Sequence, residues 1–223
     1  MSDREPRATD ALFDPGRDVV TDAAALQGLA HPLRLRLLGL LRTHGPSTAT
    51  KLAVRCGESS GLTSYHLRQL ATAGFIVDAE RADLTGVDQA GGRERWWKAA
   101  RRSTFTVSPP TGDETAVAAT ADYLRAVLAV NTANTQSWLL TQHSWPQQWQ
   151  ELANISDIPL RLTPAETAAL TADIAALLAR YRRHDPAQRP GVDGVPADAV
   201  IVSAQYQVFP LPDQDPPAAT LTP

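Results

Sequence analysis

The amino-acid sequence predicts an α+β fold, mainly α with a small β component, and three observations predict it. Apolar residues recur at helical spacing in several separate segments. Two short runs, Phe75-Ile76-Val77 and Arg95-Trp96-Trp97-Lys98, bracket a polar stretch containing Gly86, Gly91 and Gly92, which is the pattern of a hairpin with a long tip. Thr163-Pro164-Ala165-Glu166 is a capping box with proline at the first helical position, so a helix begins there.

Residues 1–20 mix charge with Pro15 and Gly16 and hold few large apolar groups, so a mobile arm is expected. A short helix over residues 21–29 precedes a stronger one starting at Pro32, where Leu33, Leu37, Leu40 and Leu41 form one apolar stripe ending near Gly45-Pro46. Ser47 or Thr48 caps a third helix, whose Leu52, Ala53 and Cys56 face inward before Gly57 stops it. After the turn Gly57-Glu58-Ser59-Ser60, a helix over residues 61–73 carries Thr63, Leu67 and Leu70 at helical spacing with His66 beside them. Ser64, Tyr65, Arg68 and Gln69 are left facing outward, and Gly74 terminates the helix before the hairpin. Helix, helix, turn, helix, hairpin in this order is the plan of a winged helix-turn-helix.

Beyond Pro109-Pro110 a long helix is expected over residues 114–143. Val117, Ala121, Leu124, Leu128 and Asn131 form a heptad-like seam along it, suited to pairing with a second copy across a two-fold axis, with Asn131 fixing the register. The alternative is that this stripe packs on its own domain. In the helix after the capping box, Leu170, Ile174, Leu177, Leu178 and Tyr181 make a core-facing stripe. Val200, Val202, Ala204, Tyr206 and Val208 alternate as in a half-buried strand, expected to pair with residues 155–162, where Pro159 marks an edge. The chain thus divides into an arm (1–20), a winged helix-turn-helix domain (21–108), a long dimerisation helix (109–150), a helix/strand module (151–210) and a disordered tail (211–223).

Of the 223 residues 43% are hydrophobic, enough for one ordinary domain and a smaller module. Cys56 is the only cysteine, which excludes an internal disulfide and a cysteine-rich zinc site and fits a reducing compartment. No apolar run reaches the roughly 20 residues that span a bilayer, and the first residues are polar and acidic, unlike a signal peptide, so no membrane partner and a cytoplasmic location are expected. The net charge of −3 conceals an asymmetry: residues 31–102 hold 12 of the 21 Lys and Arg but only 6 of the 24 Asp and Glu. A basic segment on an acidic body is the footprint of a surface that attracts phosphates.

The segment GESSGLTSYHLRQLATAG from Gly57 to Gly74, followed by GGRERWW from Gly91 to Trp97, resembles the winged-helix core of the ArsR family of bacterial regulators. The matching residues are Ser64, His66, Leu67, Leu70, Gly74 and Gly92-Arg93, and the resemblance covers about a third of the chain. It implies a homodimer that represses or activates promoters by inserting this helix in the major groove of double-stranded DNA. Many members sense metals through paired thiols or Asp and His clusters. Here no second thiol exists, and Asp122 and His143 lack the close spacing of a metal clamp, so no metal and no cofactor is predicted.

Residue chemistry names the expected contacts independently: Ser60, Thr63, Ser64, Tyr65, Arg68 and Gln69 on the helix, and Arg93 and Arg95 on the wing. Hydroxyls suit phosphates and most base edges, and arginine suits guanine or a narrow minor groove. Glu94 lies between the two wing arginines and is expected to orient them, while one of Trp96 and Trp97 packs in the core. His66 and Cys56 read as core residues before metal ligand or redox sensor. Tyr123, Trp138, Trp145 and Trp149 could line an apolar pocket for a small-molecule effector, against the plainer reading of ordinary core.

Two other function classes compete. Gly57-Glu58-Ser59-Ser60-Gly61 is a literal G-x-S-x-G, the nucleophile elbow of serine hydrolases, with Asp157 and His184 following in order. That elbow needs a parallel sheet of strand-helix units, which this pattern lacks. A winged helix used only for protein interaction would show an apolar outer face rather than Arg68 and its basic surroundings. The sequence therefore predicts a sequence-specific DNA-binding regulator, a repressor acting as a homodimer on an inverted repeat, and no enzyme.

Overall fold

The computed structural model describes residues 10–84, 94–106, 109 and 112–213. These fold as two compact units, one of the described residues within 13–157 and 182–200 and the other of those within 10–12, 158–181 and 201–213.

The larger unit begins with strand β1 (Asp18–Thr21) and a single helical turn α1 (Ala23–Leu26), capped by the Asp22 carboxylate accepting from the Ala25 N–H. Helix α2 (Pro32–His44) starts with His31 as N-cap, its Nδ1 accepting from the Leu33 N–H at 3.1 Å. Strand β2 (Ser47–Thr48) leads into α3 (Ala49–Cys56), capped by the Thr48 hydroxyl. Gly57 ends α3 at φ 70°, where only glycine enters without strain, and the Glu58 N–H closes the last turn on the Ala53 carbonyl. Helix α4 (Ser60–Thr72), strands β3 (Ile76–Asp78), β4 (Trp96–Ala99) and β5 (Ser103–Thr106), helix α5 (Glu114–Thr141) and the short α6 (Gln147–Leu152) complete the unit.

A three-stranded sheet in the order β2-β4-β3 is antiparallel throughout, with Ser47 opposite Trp97 and Asp78 opposite Trp97 on the other side. The core lies between α2, α3, α4 and this sheet. Leu37, Leu38, Leu41, Leu52, Leu67, Leu70 and Ile76 are essentially inaccessible, each contributing about 1.5–3 kcal/mol by leaving water. Leu38 takes the core place that the sequence pattern gave to Leu40, which is only half-buried. Gly28 fits because nothing larger can: a Cβ there would lie 2.5 Å from the Ala73 Cβ, so α1 and the end of α4 meet at a point that requires glycine.

Two expectations are overturned. Residues 18–20 belong to β1, not to an arm: β1 pairs in parallel with β5, Asp18 opposite Ser103, and the Asp18 carboxylate is buried against Arg102. Residues 1–9 lie outside the described residues. The strand expected over residues 200–208 and its partner over 155–162 do not form; neither segment has regular secondary structure or ladder bonds, and Ile155, Ile158, Ile201 and Val202 are exposed. Alternation in sequence fixes which way side chains point, but a strand exists only where a second backbone supplies donors and acceptors.

In the smaller unit α7 (Pro164–Ala179) carries the full capping box, with Thr163 and Glu166 each bonding the other's backbone. It packs on a 3-10 turn at Asp10–Leu12 and buries Ala175. The stripe expected to face a core is only partly covered: Leu170, Ile174 and Leu178 are half-buried, and Leu177 and Tyr181 are exposed.

Candidate nucleic-acid interface

Helix α4 rests on α3 and α2 through Leu67, Leu70, His66 and Thr63. Its opposite face carries Ser60, Tyr65 and Arg68 exposed and Ser64 and Gln69 half-buried. Ser59 caps the helix by accepting from the Leu62 N–H at 3.2 Å. Five of the six helix residues expected to contact a duplex therefore share one accessible face. Thr63 does not: it is fully buried in the core, as its place in the inward stripe dictates, and no duplex can reach it.

His66 is 6% exposed, and its ring lies against His31 and the edge of Tyr65. Burial, then His31 and Arg34, holds its pKa below the usual imidazole value. It shapes the inner edge of α4 as a neutral core group. Cys56 is also buried, and burial raises its thiol pKa despite Arg36 nearby. Arg36 instead grips the C-terminal end of α3, donating to the Cys56 and Arg55 carbonyls at 3.0 and 3.1 Å and holding α3 at the turn that sets α4.

The wing base places its aromatics as expected: Trp97 is buried in the core, while half-buried Trp96 lies under the Lys51 ammonium, 4.5 Å from the ring centroid. Arg95 is exposed but engaged. It forms a bidentate pair with Asp78 across the strands, at 2.5 and 2.8 Å, and stacks on Trp97 at 3.9 Å. Sequence reasoning missed this tether, although the hairpin register puts Asp78 opposite Trp97, diagonal to Arg95. Glu94 accepts from the Thr50 hydroxyl at 2.8 Å and so ties the hairpin to α3. It does not orient Arg95, and Arg93 lies outside the described residues together with the wing tip.

On α5 the buried face is Ala116, Ala119, Tyr123 and Ala126, packed on α1 and α2. The seam named from sequence is the other face: Val117, Leu124 and Leu128 are 51%, 48% and 44% exposed, with Ala121 and Asn131 half-buried. In the single chain this stripe therefore lies outside the domain core. The four aromatics named for an effector pocket do not converge. Tyr123 is core, about four helical turns before Trp138, while Trp138, Trp145 and Trp149 form an edge-to-face string of their own at 5.8 and 6.4 Å.

The hydrolase reading fails on geometry. The residues before the G-x-S-x-G belong to α3, not to a strand, and Ser59 Oγ is spent on the cap of α4. Among the described residues no helix is long and apolar enough to cross a membrane.

A helix pair joined by a tight turn, an accessible second helix and an antiparallel hairpin beside it define the helix-turn-helix class of DNA-binding domain. Residues 29–78 match the model of the helix-turn-helix domain family, which covers α2, α3, α4 and β3. The chain carries a helix-turn-helix domain of the kind found in DNA-binding transcription regulators. No curated protein matches the chain.

Proposed function

We propose that this protein is a sequence-specific transcription regulator of the ArsR-like type, a cytoplasmic homodimer that represses by occupying an inverted-repeat operator. The observation that carries the reading is the outer face of α4, where Ser64, Tyr65, Arg68 and Gln69 stand accessible on a helix fixed from behind by the core. Serine and glutamine suit base edges or phosphates, and arginine reads guanine bidentately. Arg68 has no ion-pair partner among the described residues.

The uncovered stripe Val117, Leu124 and Leu128 supports the dimer, since a two-fold axis along α5 would bury it in both copies and set two α4 helices on successive major grooves, about 34 Å apart. Repression needs occupancy alone, whereas activation needs a further surface for the polymerase.

Selection of bound fragments from random duplex DNA by the full chain tests the reading, followed by affinity measurements over a salt series. An inverted repeat with half-sites about one turn apart supports it, together with affinity that falls steeply with salt. Indifference to duplexes even at about 50 mM salt overturns it.

A further inference from the structure

The larger unit contains a cleft of about 810 Å³ formed by the C-terminal end of α2, the turn from β4 to β5 and residues 184–193. His184 Nε2 lies 2.7 Å from the Thr43 carbonyl oxygen, which seats the last of these segments against α2. Six arginine and lysine side chains line the cleft. Four have carboxylate partners: Arg17 with Asp185, Lys98 with Asp83, Arg102 with Asp18, and Arg189 with Asp193. Arg42 and Arg101 have none among the described residues.

Arg42 is the more telling of the two. Its Nε donates to the Arg101 carbonyl at 3.0 Å and its Nη2 to the Thr104 hydroxyl at 2.8 Å, so the guanidinium is locked in place by neutral acceptors while Nη1 has no hydrogen-bond partner among the described residues. Burial pushes its pKa down to about 10, with Tyr123 and Asp18 pulling weakly the other way. Among the described residues the Arg101 side chain donates only to the neighbouring Ala100 carbonyl. Arg42 thus lines the cleft with a guanidinium fixed by neutral acceptors and only weakly offset by the Asp18 charge, and a fork of N–H donors suits a carboxylate or phosphate.

We propose that this cleft binds a small oxyanion-bearing ligand, a carboxylate or phosphate metabolite, through Arg42 and Arg101. A DNA backbone is the lesser fit, because it meets extended surface arginines rather than a half-buried guanidinium fixed in the lining of a cleft. The cleft joins α2, which supports α4, to the end of β4, the strand that returns from the wing. A ligand closing it would bias the angle between helix and wing, a consequence that rests on the DNA-binding reading while the site itself does not.

The test is calorimetric titration of the full chain, free of DNA, with citrate and with inorganic pyrophosphate at constant ionic strength, for the wild type, Arg101→Ser and Arg42→Lys. Saturable binding of either anion, weakened about tenfold by Arg101→Ser with the melting temperature unchanged, is the expected result. Arg42→Lys keeps the charge but loses the fork, and binding should weaken with it. Absence of saturable binding by both probes overturns the site, as does binding that neither variant alters. If Arg101→Ser instead leaves anion titration untouched and lowers the salt slope of DNA binding by about one, the cleft is a backbone contact and the small-ligand site is wrong. Failure of DNA binding with anion binding intact would sink the regulator reading alone.

Discussion

The rings of His31 and His66 lie 4.4 Å apart, centroid to centroid, one capping α2 and the other buried on the inner edge of α4. The pair couples the supporting helix to the exposed one, and it does so with His66 uncharged. Burial, His31 and Arg34 all lower the pKa of His66 from its usual 6.5. In the window between that value and the folded one the unfolded chain binds the extra proton, so stability is complete above about pH 6.5 and declines as the pH falls through it. His44, lowered by burial and then by Arg55 and His184, adds in the same direction. Thermal melts between about pH 7.5 and about pH 5.5 should show the decline, and His66→Gln should flatten part of the slope. An unchanged slope in that variant would place the effect elsewhere.

The Asp18 carboxylate has no exposed area and receives both Nε and Nη2 of Arg102, at 3.2 and 2.9 Å, with Arg183 beyond at 3.6 Å. Burial alone would raise its pKa, but the bond from Arg102, the Asp14 N–H and the field of Arg183 outweigh it and the net direction is down. Its contribution is present above the ordinary carboxylate pKa of 3.8 and is lost as pH falls through the folded value. Asp18→Asn removes the buried charge that Arg102 grips, leaving it only the more distant Asp14, and should cost about 3 kcal/mol in urea unfolding. Asp14→Asn, at a more exposed carboxylate 3.9 Å from Arg102, should cost well under half of that.

Arg68 and Arg95 should respond differently to substitution. Arg68→Ala removes an unpaired cation from α4 and should cost about 1–3 kcal/mol of operator affinity, with relaxed preference at one base pair if it reads a base. Arg95 is held by Asp78, so releasing it is the informative change. Asp78→Asn should raise affinity for duplexes of any sequence and steepen the salt dependence by about one ion. Fluorescence anisotropy over a salt series measures both, and an unchanged slope in Asp78→Asn would remove Arg95 from the interface.

Glutamate at Leu124 and Leu128 together should abolish self-association without unfolding the chain, because both side chains are about half-exposed in the single copy. Sedimentation should give one chain's mass for the variant and two for the wild type, with far-ultraviolet dichroism unchanged. A variant that still sediments as a dimer would move the two-fold axis off α5.

Local signals made much of the reading head legible. Pro32, Thr48, Gly57 and Gly74 mark helix ends by chemistry that acts within a few residues, and the helix-turn-helix and its hairpin follow in the expected order. What stayed hidden depends on distant partners. Asp18 and Arg102 are 84 residues apart, so nothing near either one announces β1, β5 or their ion pair. Residues 200–208 alternate like a strand but find no neighbour, and local pattern cannot supply one. Thr63 carries a hydroxyl suited to a contact, but its helical spacing puts it inside. On α5 the larger side chains lie on the outer stripe, and the inward face is mostly alanine, because small residues let two helix axes come close.

That alanine face has a mechanical result. With Ala116, Ala119 and Ala126 seated on α1 and α2, α5 cannot roll about its own axis without opening the core, so the outer stripe and the recognition surface keep a constant phase. A single residue inserted in α5 between Ala126 and Leu128 would turn everything beyond it by about 100°. Such a protein would fold and hold its helix-turn-helix intact while aiming its grip in the wrong direction.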